Sequence, residues 1–288
     1  MSKFIESTNL LNNENELRQQ ISRDGYLFFR SLIDKKAVLR VREDITNILL
    51  GANWLDTGTN PINAETSRIL PLDNTKEYLP VYDKIQQQQS FHGLAHEPAI
   101  MSVIKNLLGE SVENVLPHPC KNFRAILPNQ PKSTTAKHQD YPYIQGNTDV
   151  WTVWIPLGDC PVELGPLTVL VGSHELGLLP TNRGLIEIAE SELEKGGKVW
   201  ASSPFELGDV LVFHCLTVHK GLPNISSDRL RLSVDYRYQR YTDPIMEDLL
   251  KPHKNRLTWK EVYKDWESDD YKYYWKQFDL NTVPREKI

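Results

Sequence analysis

One short stretch near the middle of the chain, Lys137-His138-Gln139-Asp140-Tyr141-Pro142-Tyr143, limits what this sequence can become more than any other. It places an imidazole and a carboxylate two residues apart. On an extended strand, residues i and i+2 point to the same side, so His138 and Asp140 can reach one ion. Far downstream an apolar run from Gly208-Asp209 ends at His219. Two imidazoles and one carboxylate form the ligand set that holds Fe(II) on one face and leaves the opposite face open. H-x-D alone is a weak signal: with eight His and 38 acidic residues such a pair arises by chance, and a loop histidine beside an aspartate is the plain alternative.

The setting of His219 strengthens the reading. A strand over 209–218 that ends in histidine at the turn Lys220-Gly221-Leu222-Pro223-Asn224 presents the ring at a barrel mouth. The competing account is a strand-end histidine bonded to a backbone carbonyl. Next, Leu230, Leu232, Val234, Tyr236 and Tyr238 alternate with Arg231, Ser233, Asp235 and Arg237. That is a period-two strand with one apolar and one polar face. Arg231 heads the polar face. An arginine pointing into a barrel requires an anion, and a carboxylate received in bidentate fashion is the usual one. Arg229 and Arg237 share its parity and compete for the role, and a salt bridge from Arg231 to Asp235 or Asp209 is the structural alternative.

The chain before residue 112 reads as helical. A helix over 14–23 feeds the turn Asp24-Gly25 and a strand, Tyr26-Leu27-Phe28-Phe29. A second helix is capped by Asp34 and closed at Gly51, and its apolar stripe is expected to pack on a sheet. Residues 52–80 are irregular, fitting a lid or wall over a pocket or a surface excursion. A helix follows over 97–109. Beyond about residue 112 the predicted strands are 121–127, 150–155, 167–171, 209–218 and 230–238. Short strands separated by turn residues point to a closed or double-sheet β architecture such as a jelly roll, within a single domain spanning 1–288. In the tail, Trp259 through Phe278 reads as one or two outer helices.

Composition sets the outer limits. At 288 residues, 40% hydrophobic and 25% charged, the chain is an ordinary globule. A net charge of −5 without a dense Lys/Arg block argues against nucleic acid or an anionic membrane as partner. Cys120, Cys160 and Cys215 are odd in number and lack C-x-x-C spacing, which fits a reduced setting. With no apolar leader and no membrane-length apolar run, a cytoplasmic location is expected.

The segments HQDYPYI, VWTVWIPLGDCPVELGPLTVLVGSH, LGDVLVFHCLTVHKG and DRLRLSVDYRYQ, with DGYLFFRSLID near the start, resemble the phytanoyl-CoA dioxygenase family of Fe(II)/2-oxoglutarate oxygenases. The likeness runs from about residue 14 to 240. It implies a double-stranded β-helix, a cupin-like jelly-roll core over about 112–240 with flanking α-helices. It implies that His138, Asp140 and His219 bind Fe(II), and that Arg231, with Arg229 as second choice, holds the distal carboxylate of 2-oxoglutarate. With O2 as the other cosubstrate, succinate and CO2 form as a small-molecule C–H bond is oxidised. Because Asp140 is present, hydroxylation or a related oxidation is favoured over halogenation.

Other residues complete the expected site. Thr152 or Trp154 borders the 2-oxoglutarate site; Trp151 and Trp154 differ in parity and face opposite ways. Asn122 and Arg124 lie on a strand that the resemblance runs near the cosubstrate, with surface pairing the alternative for Arg124. Tyr141 and Tyr143 line the substrate pocket or pack at its rim. His174 reads as structural and His214 as packing, while the spacing of His92 and His96 reads as coincidence. Two other functions compete: a non-catalytic cupin-like binding module, and a metal-dependent isomerase or hydrolase that needs neither oxygen nor 2-oxoglutarate.

Overall fold

The computed structural model describes residues 1–287. Helix α1 (Glu14–Asp24) is capped by the Asn13 side chain and stopped by Gly25, whose φ of 75° suits the left-handed cap. A side chain there would meet His174 Nδ1 at 2.5 Å. Strand β1 (Tyr26–Phe29) follows. Helix α2 (Lys35–Gly51) starts at Asp34, which accepts a hydrogen bond from the Lys36 amide. Gly51 is its last helical residue and not its cap, which is Ala52. Residues 52–78 hold a short 3-10 turn, Pro61–Asn63, and an isolated bridge from Glu65 to Arg229; helix begins again at Leu79. Helices α3 (Leu79–Gln86), α4 (Gln89–Gly93) and α5 (Pro98–Leu108) complete the helical layer, and α5 ends on Gly109 as its composition suggests.

Two antiparallel sheets follow. The larger joins β1, β7 (Val210–His214), β4 (Trp151–Pro156) and β9 (Arg231–Arg240) in that order, with β2 (Val115–Pro117) and β3 (Asn122–Ile126) both pairing with β9. The smaller has the order β6 (Trp200–Ala201), β5 (Leu167–Leu170), β8 (His219–Gly221). Period-two alternation divides the larger sheet. Val153, Ile155, Val212, Val234 and Tyr236 join the helices in one apolar core. Trp154, Leu211 and Phe213 turn the other way and pack with Leu167 and Val169 of the smaller sheet. Trp151 falls in the first cluster and Trp154 in the second, so the two face opposite ways. The polar face of 230–238 is thus turned inward between the sheets, not to solvent.

Two expectations need correction. The run 209–218 is not one strand. It breaks after His214, and His219 opens β8 in the other sheet. The Thr217 amide bonds back to the His214 carbonyl at 2.8 Å and the Thr217 hydroxyl donates to Gly25 O at 2.8 Å, which turns the chain across the sandwich. The tail is also not a pair of long helices. Trp259–Val262 is a single capped turn and Tyr274–Gln277 a 3-10 turn. The rest is held by aromatic packing, as in Trp259 against Trp275 at 4.8 Å, a contact that needs no helical spacing. No helix among the described residues is long and apolar enough to cross a membrane.

Candidate active site

His138 forms an isolated two-bond bridge with His219, each amide donating to the other's carbonyl at 3.0 Å. Two residues on, the Asp140 amide donates to Cys215 O at 2.9 Å. Between them the buried Gln139 side chain points away and bonds Leu216 O, Gly177 O and the Leu179 amide. The extended alternation therefore puts His138 and Asp140 on one side, with His219 beside them. Ligand atoms of the three residues lie within 4.8 Å of one another, and all three are buried. The Nε2 atoms of His138 and His219 stand 3.7 and 3.8 Å from Asp140 Oδ1.

Hydrogen bonding decides which atoms face inward. His138 Nδ1 lies 2.8 Å from Ala136 O, and His219 Nδ1 lies 2.9 Å from Thr217 O. Each Nδ1–H donates to its carbonyl, which leaves both Nε2 lone pairs free for an ion. Burial, with His219 alongside, pushes the His138 ring down to about 3, so it is neutral. Asp140 is clasped from behind. Thr152 Oγ1 donates to Oδ2 at 2.5 Å, while Arg237 donates from Nη2 to Oδ1 at 3.0 Å and from Nε to Oδ2 at 3.3 Å. Burial opposes the charged form of Asp140, but the Arg237 guanidinium, by its charge and its hydrogen bonds, outweighs it and holds the carboxyl below its ordinary range.

Arg231 lines the same cleft and is 3% exposed. Its Nη1 donates to Ser233 Oγ at 2.9 Å, and its guanidinium stacks over Trp154 at 5.5 Å. Its Nε has no partner, and among the described residues Arg231 forms no ion pair. Asp209 is taken by Arg30. A buried cation with an orphaned donor beside a three-ligand set fits a metal-bound dianion. Arg229 lies elsewhere: its side chain is 43% exposed and faces Glu163 at 3.9 Å, because it precedes β9 and escapes the strand's alternation.

The softer candidates separate. Thr152 and Arg237 are partners across β4 and β9, so both reach Asp140. Trp154 borders the cleft. Arg124 lies between the cleft and a wider outer cavity, pairing with Asp73 at 3.5 Å and Asp235 at 3.9 Å. Asn122 bonds Asp235 at 3.2 Å and the Tyr82 hydroxyl at 3.3 Å. Tyr143 lines the outer cavity, edge-on to His138. Tyr141 turns instead to the aromatic C-terminal segment. His174 bonds Ser22 O, and His214 packs between Trp151 and His174. His92 bonds Gln86 O and His96 stacks on Tyr271; both serve packing.

A family model, phytanoyl-CoA dioxygenase, matches residues 21–232. The chain belongs to the phytanoyl-CoA dioxygenase family. It is an oxidoreductase of the non-haem Fe(II)/2-oxoglutarate-dependent class, which oxidises a small-molecule C–H bond as 2-oxoglutarate and O2 become succinate and CO2. Two relatives named 1-deoxypentalenic acid 11-beta-hydroxylase are similar over nearly their whole length. The one from Streptomyces exfoliatus is 26% identical, over 92% of this chain and 93% of its own. That from Streptomyces arenae is 28% identical, over 92% of each. Among solved structures, the epimerase SnoN from nogalamycin biosynthesis, in complex with Fe3+ and alpha ketoglutarate, shares the fold at a TM-score of 0.57 and 22% identity, over 81% of this chain and 85% of its own.

Sequence reasoning did not separate Arg237 from Arg231, since the two share parity. The irregular stretch 52–80, expected as a wall or a surface excursion, supplies Asp73 to the outer cavity; His253 and Lys254 carried no signal, because loop and tail meet only in three dimensions.

Proposed function

We propose that His138, Asp140 and His219 hold Fe(II), that Arg231 receives the distal carboxylate of 2-oxoglutarate, and that this enzyme hydroxylates a small natural-product-type molecule. The two sheets with His138 bridged to β8 support a double-stranded β-helix, in one domain spanning 1–288. Three buried free cysteines are compatible with a reduced, cytoplasmic setting. The observation that carries the reading is the partnerless Nε of buried Arg231 in the cleft shared with the three ligands.

With 2-oxoglutarate and O2, ferrous iron supplies an oxidant able to take hydrogen from an unactivated C–H bond. The protein's own residues prepare that chemistry. The carbonyls of Ala136 and Thr217 fix the two imidazoles by their Nδ1–H groups. Thr152 and Arg237 keep Asp140 ionised and oriented. Trp154 supports the Arg231 guanidinium and Leu167 closes the cleft beside it, excluding water. Thr152 and Trp154 border the cosubstrate; Arg124 and Asn122 stand farther out, on its substrate side. Tyr143 and the outer cavity receive the substrate. A binding module needs no orphaned cation beside its metal ligands. The relatives named as hydroxylases favour hydroxylation.

The test is anaerobic protein with Fe(II) and 2-oxoglutarate. A weak visible charge-transfer band is expected, and admitting air yields succinate. Arg231→Ala raises the 2-oxoglutarate requirement on the order of 100-fold while iron retention is nearly unchanged. Unaltered iron binding in the His138→Ala, Asp140→Ala double variant defeats the ligand assignment, and turnover without oxygen points to an isomerase or hydrolase.

A further inference from the structure

The outer cavity holds about 440 Å³ and is closed by segments distant in sequence: Asp73 and Asn74 of the irregular loop, Arg124 of β3, and His253-Lys254 of the tail. Lys254 Nζ donates to Asp73 Oδ1 at 2.9 Å and to Asn74 Oδ1 at 2.5 Å, and it lies 4.9 Å from the Tyr82 ring. Arg124 Nη1 stands 3.5 Å from the other oxygen of the same carboxylate. Two cations therefore share Asp73.

The charges deeper in are matched. Ferrous iron, the Asp140 carboxylate and a dianionic cosubstrate leave one negative charge, which Arg231 balances. Of the two other charges lining the cleft, Arg237 bonds Asp140 and Asp235 stands 3.9 Å from Arg124, and they cancel in the sum. The surplus is at the outer end, where Arg124 and Lys254 together outweigh Asp73 by one positive charge. Ile144, Leu185 and Leu249 supply an apolar wall to the same space. A volume of this size suits a compact ligand, mostly apolar with few polar anchors.

We propose that the substrate is a compact, largely apolar monocarboxylate whose carboxylate group is received by Arg124 and Lys254, with its apolar body lying toward His138. This rests on the iron and 2-oxoglutarate reading above, which sets the inner charge balance. Asp73 is then a competitor for the two cations, occupying in the free enzyme the place that the substrate anion takes.

The experiment uses anaerobic protein with Fe(II) and saturating 2-oxoglutarate, which keeps other carboxylates away from Arg231. The probes are 1-adamantanecarboxylate and the uncharged 1-adamantanemethanol, titrated calorimetrically. The acid is expected to bind about tenfold tighter than the alcohol. Lys254→Gln removes most of that preference without moving the alcohol. Asp73→Asn, which deletes the competitor, tightens the acid severalfold. Opposite signs from two contacting residues separate the proposal from damage to the wall, which weakens both probes. Equal binding of acid and alcohol, no acid binding at millimolar concentration, or weakening of the acid by both variants overturns it. The charge-transfer band is read on the same samples. A band without acid preference removes only the substrate assignment; no band in the parent protein removes the iron reading and this inference with it.

Discussion

Arg237 grips both oxygens of the Asp140 carboxylate, through Nη2 to Oδ1 at 3.0 Å and Nε to Oδ2 at 3.3 Å. With Thr152 on Oδ2, the carboxylate has one rotational setting, and Oδ1 is the oxygen turned toward both Nε2 atoms. Arg237 is a positioning residue: it acts on the ion through Asp140.

Arg237→Ala is expected to weaken divalent-metal affinity roughly 10–100-fold, the usual cost of losing a partner behind a ligand. Arg237→Lys recovers part of this, since an ammonium supplies charge without the planar fork. Thr152→Val costs less, because the guanidinium remains. Co(II) titration against a chelator, with melting curves as a check on folding, measures all three. Equal affinity in Arg237→Ala and parent protein would show that Asp140 needs no support.

Gly165 gives a stability prediction. It turns the chain between β4 and β5 with φ +72°, and a Cβ there would sit 2.2 Å from Leu222 O. Both backbone strain and collision with an immobile carbonyl oppose a side chain, so Gly165→Ala is expected to lose about 3 kcal/mol or more. Gly109 has a similar left-handed backbone, φ +69° and ψ +35°, but a Cβ there would meet only the far end of the flexible Arg18 side chain. Gly109→Ala therefore loses mainly the conformational part, about 1 kcal/mol. Denaturant unfolding of the pair separates strain from collision; equal losses would mean that the carbonyl yields.

How far the sequence foretold the site follows from which contacts are local. Alternation along 230–238 assigned Arg231 and Arg237 to one face, and H-x-D spacing put His138 beside Asp140, because both are rules of a single extended chain. Alternation could not say which arginine meets Asp140. That depends on the β4–β9 register, which sets Thr152 opposite Arg237. The break after His214 was hidden because Cys215, Leu216 and Val218 are as apolar as a strand, and the turn is made by a tertiary bond from Thr217 to Gly25. Lys254 reaches Asp73 and Asn74 across the whole catalytic half of the chain, and no local pattern reports such a contact.

Buried histidines set the acid limit. Burial holds His118 at about 3, as it does His92. Their rings bond Gln239 Oε1 and Gln86 O, each at 2.8 Å. The unfolded chain takes up protons near 6.5 and the folded chain does not. Stability from these rings is therefore complete above about pH 6.5 and lost as pH falls toward 3, by roughly 2 kcal/mol per ring at pH 5. His118→Asn keeps a polar partner for Gln239 without titrating. Its melting temperature should fall less than the parent's between pH 6.5 and 4.5, and parallel curves would refute the account.

Lys121 works in the opposite pH range. Its ammonium is buried and forms no ion pair among the described residues; it donates to His118 O and the Tyr274 hydroxyl at 3.1 Å each and lies 5.2 Å from the Tyr274 ring. Burial pulls it down to about 7. Below that value folded and unfolded chains are both protonated, and the folded state bears the full cost of a buried charge. Between about 7 and 10.5 only the unfolded chain holds the proton, so stability rises with pH across that window. From pH 7 to 9 the gain is roughly 2–3 kcal/mol, or on the order of 5 °C in melting temperature for a chain of this size. Lys121→Met fills the same space without a charge, and Tyr274 keeps its bond to Pro117 O at 2.7 Å. The variant should melt higher than the parent at pH 6.5 and draw level near pH 10. A constant offset between the two proteins across that range would mean that Lys121 keeps its proton when folded.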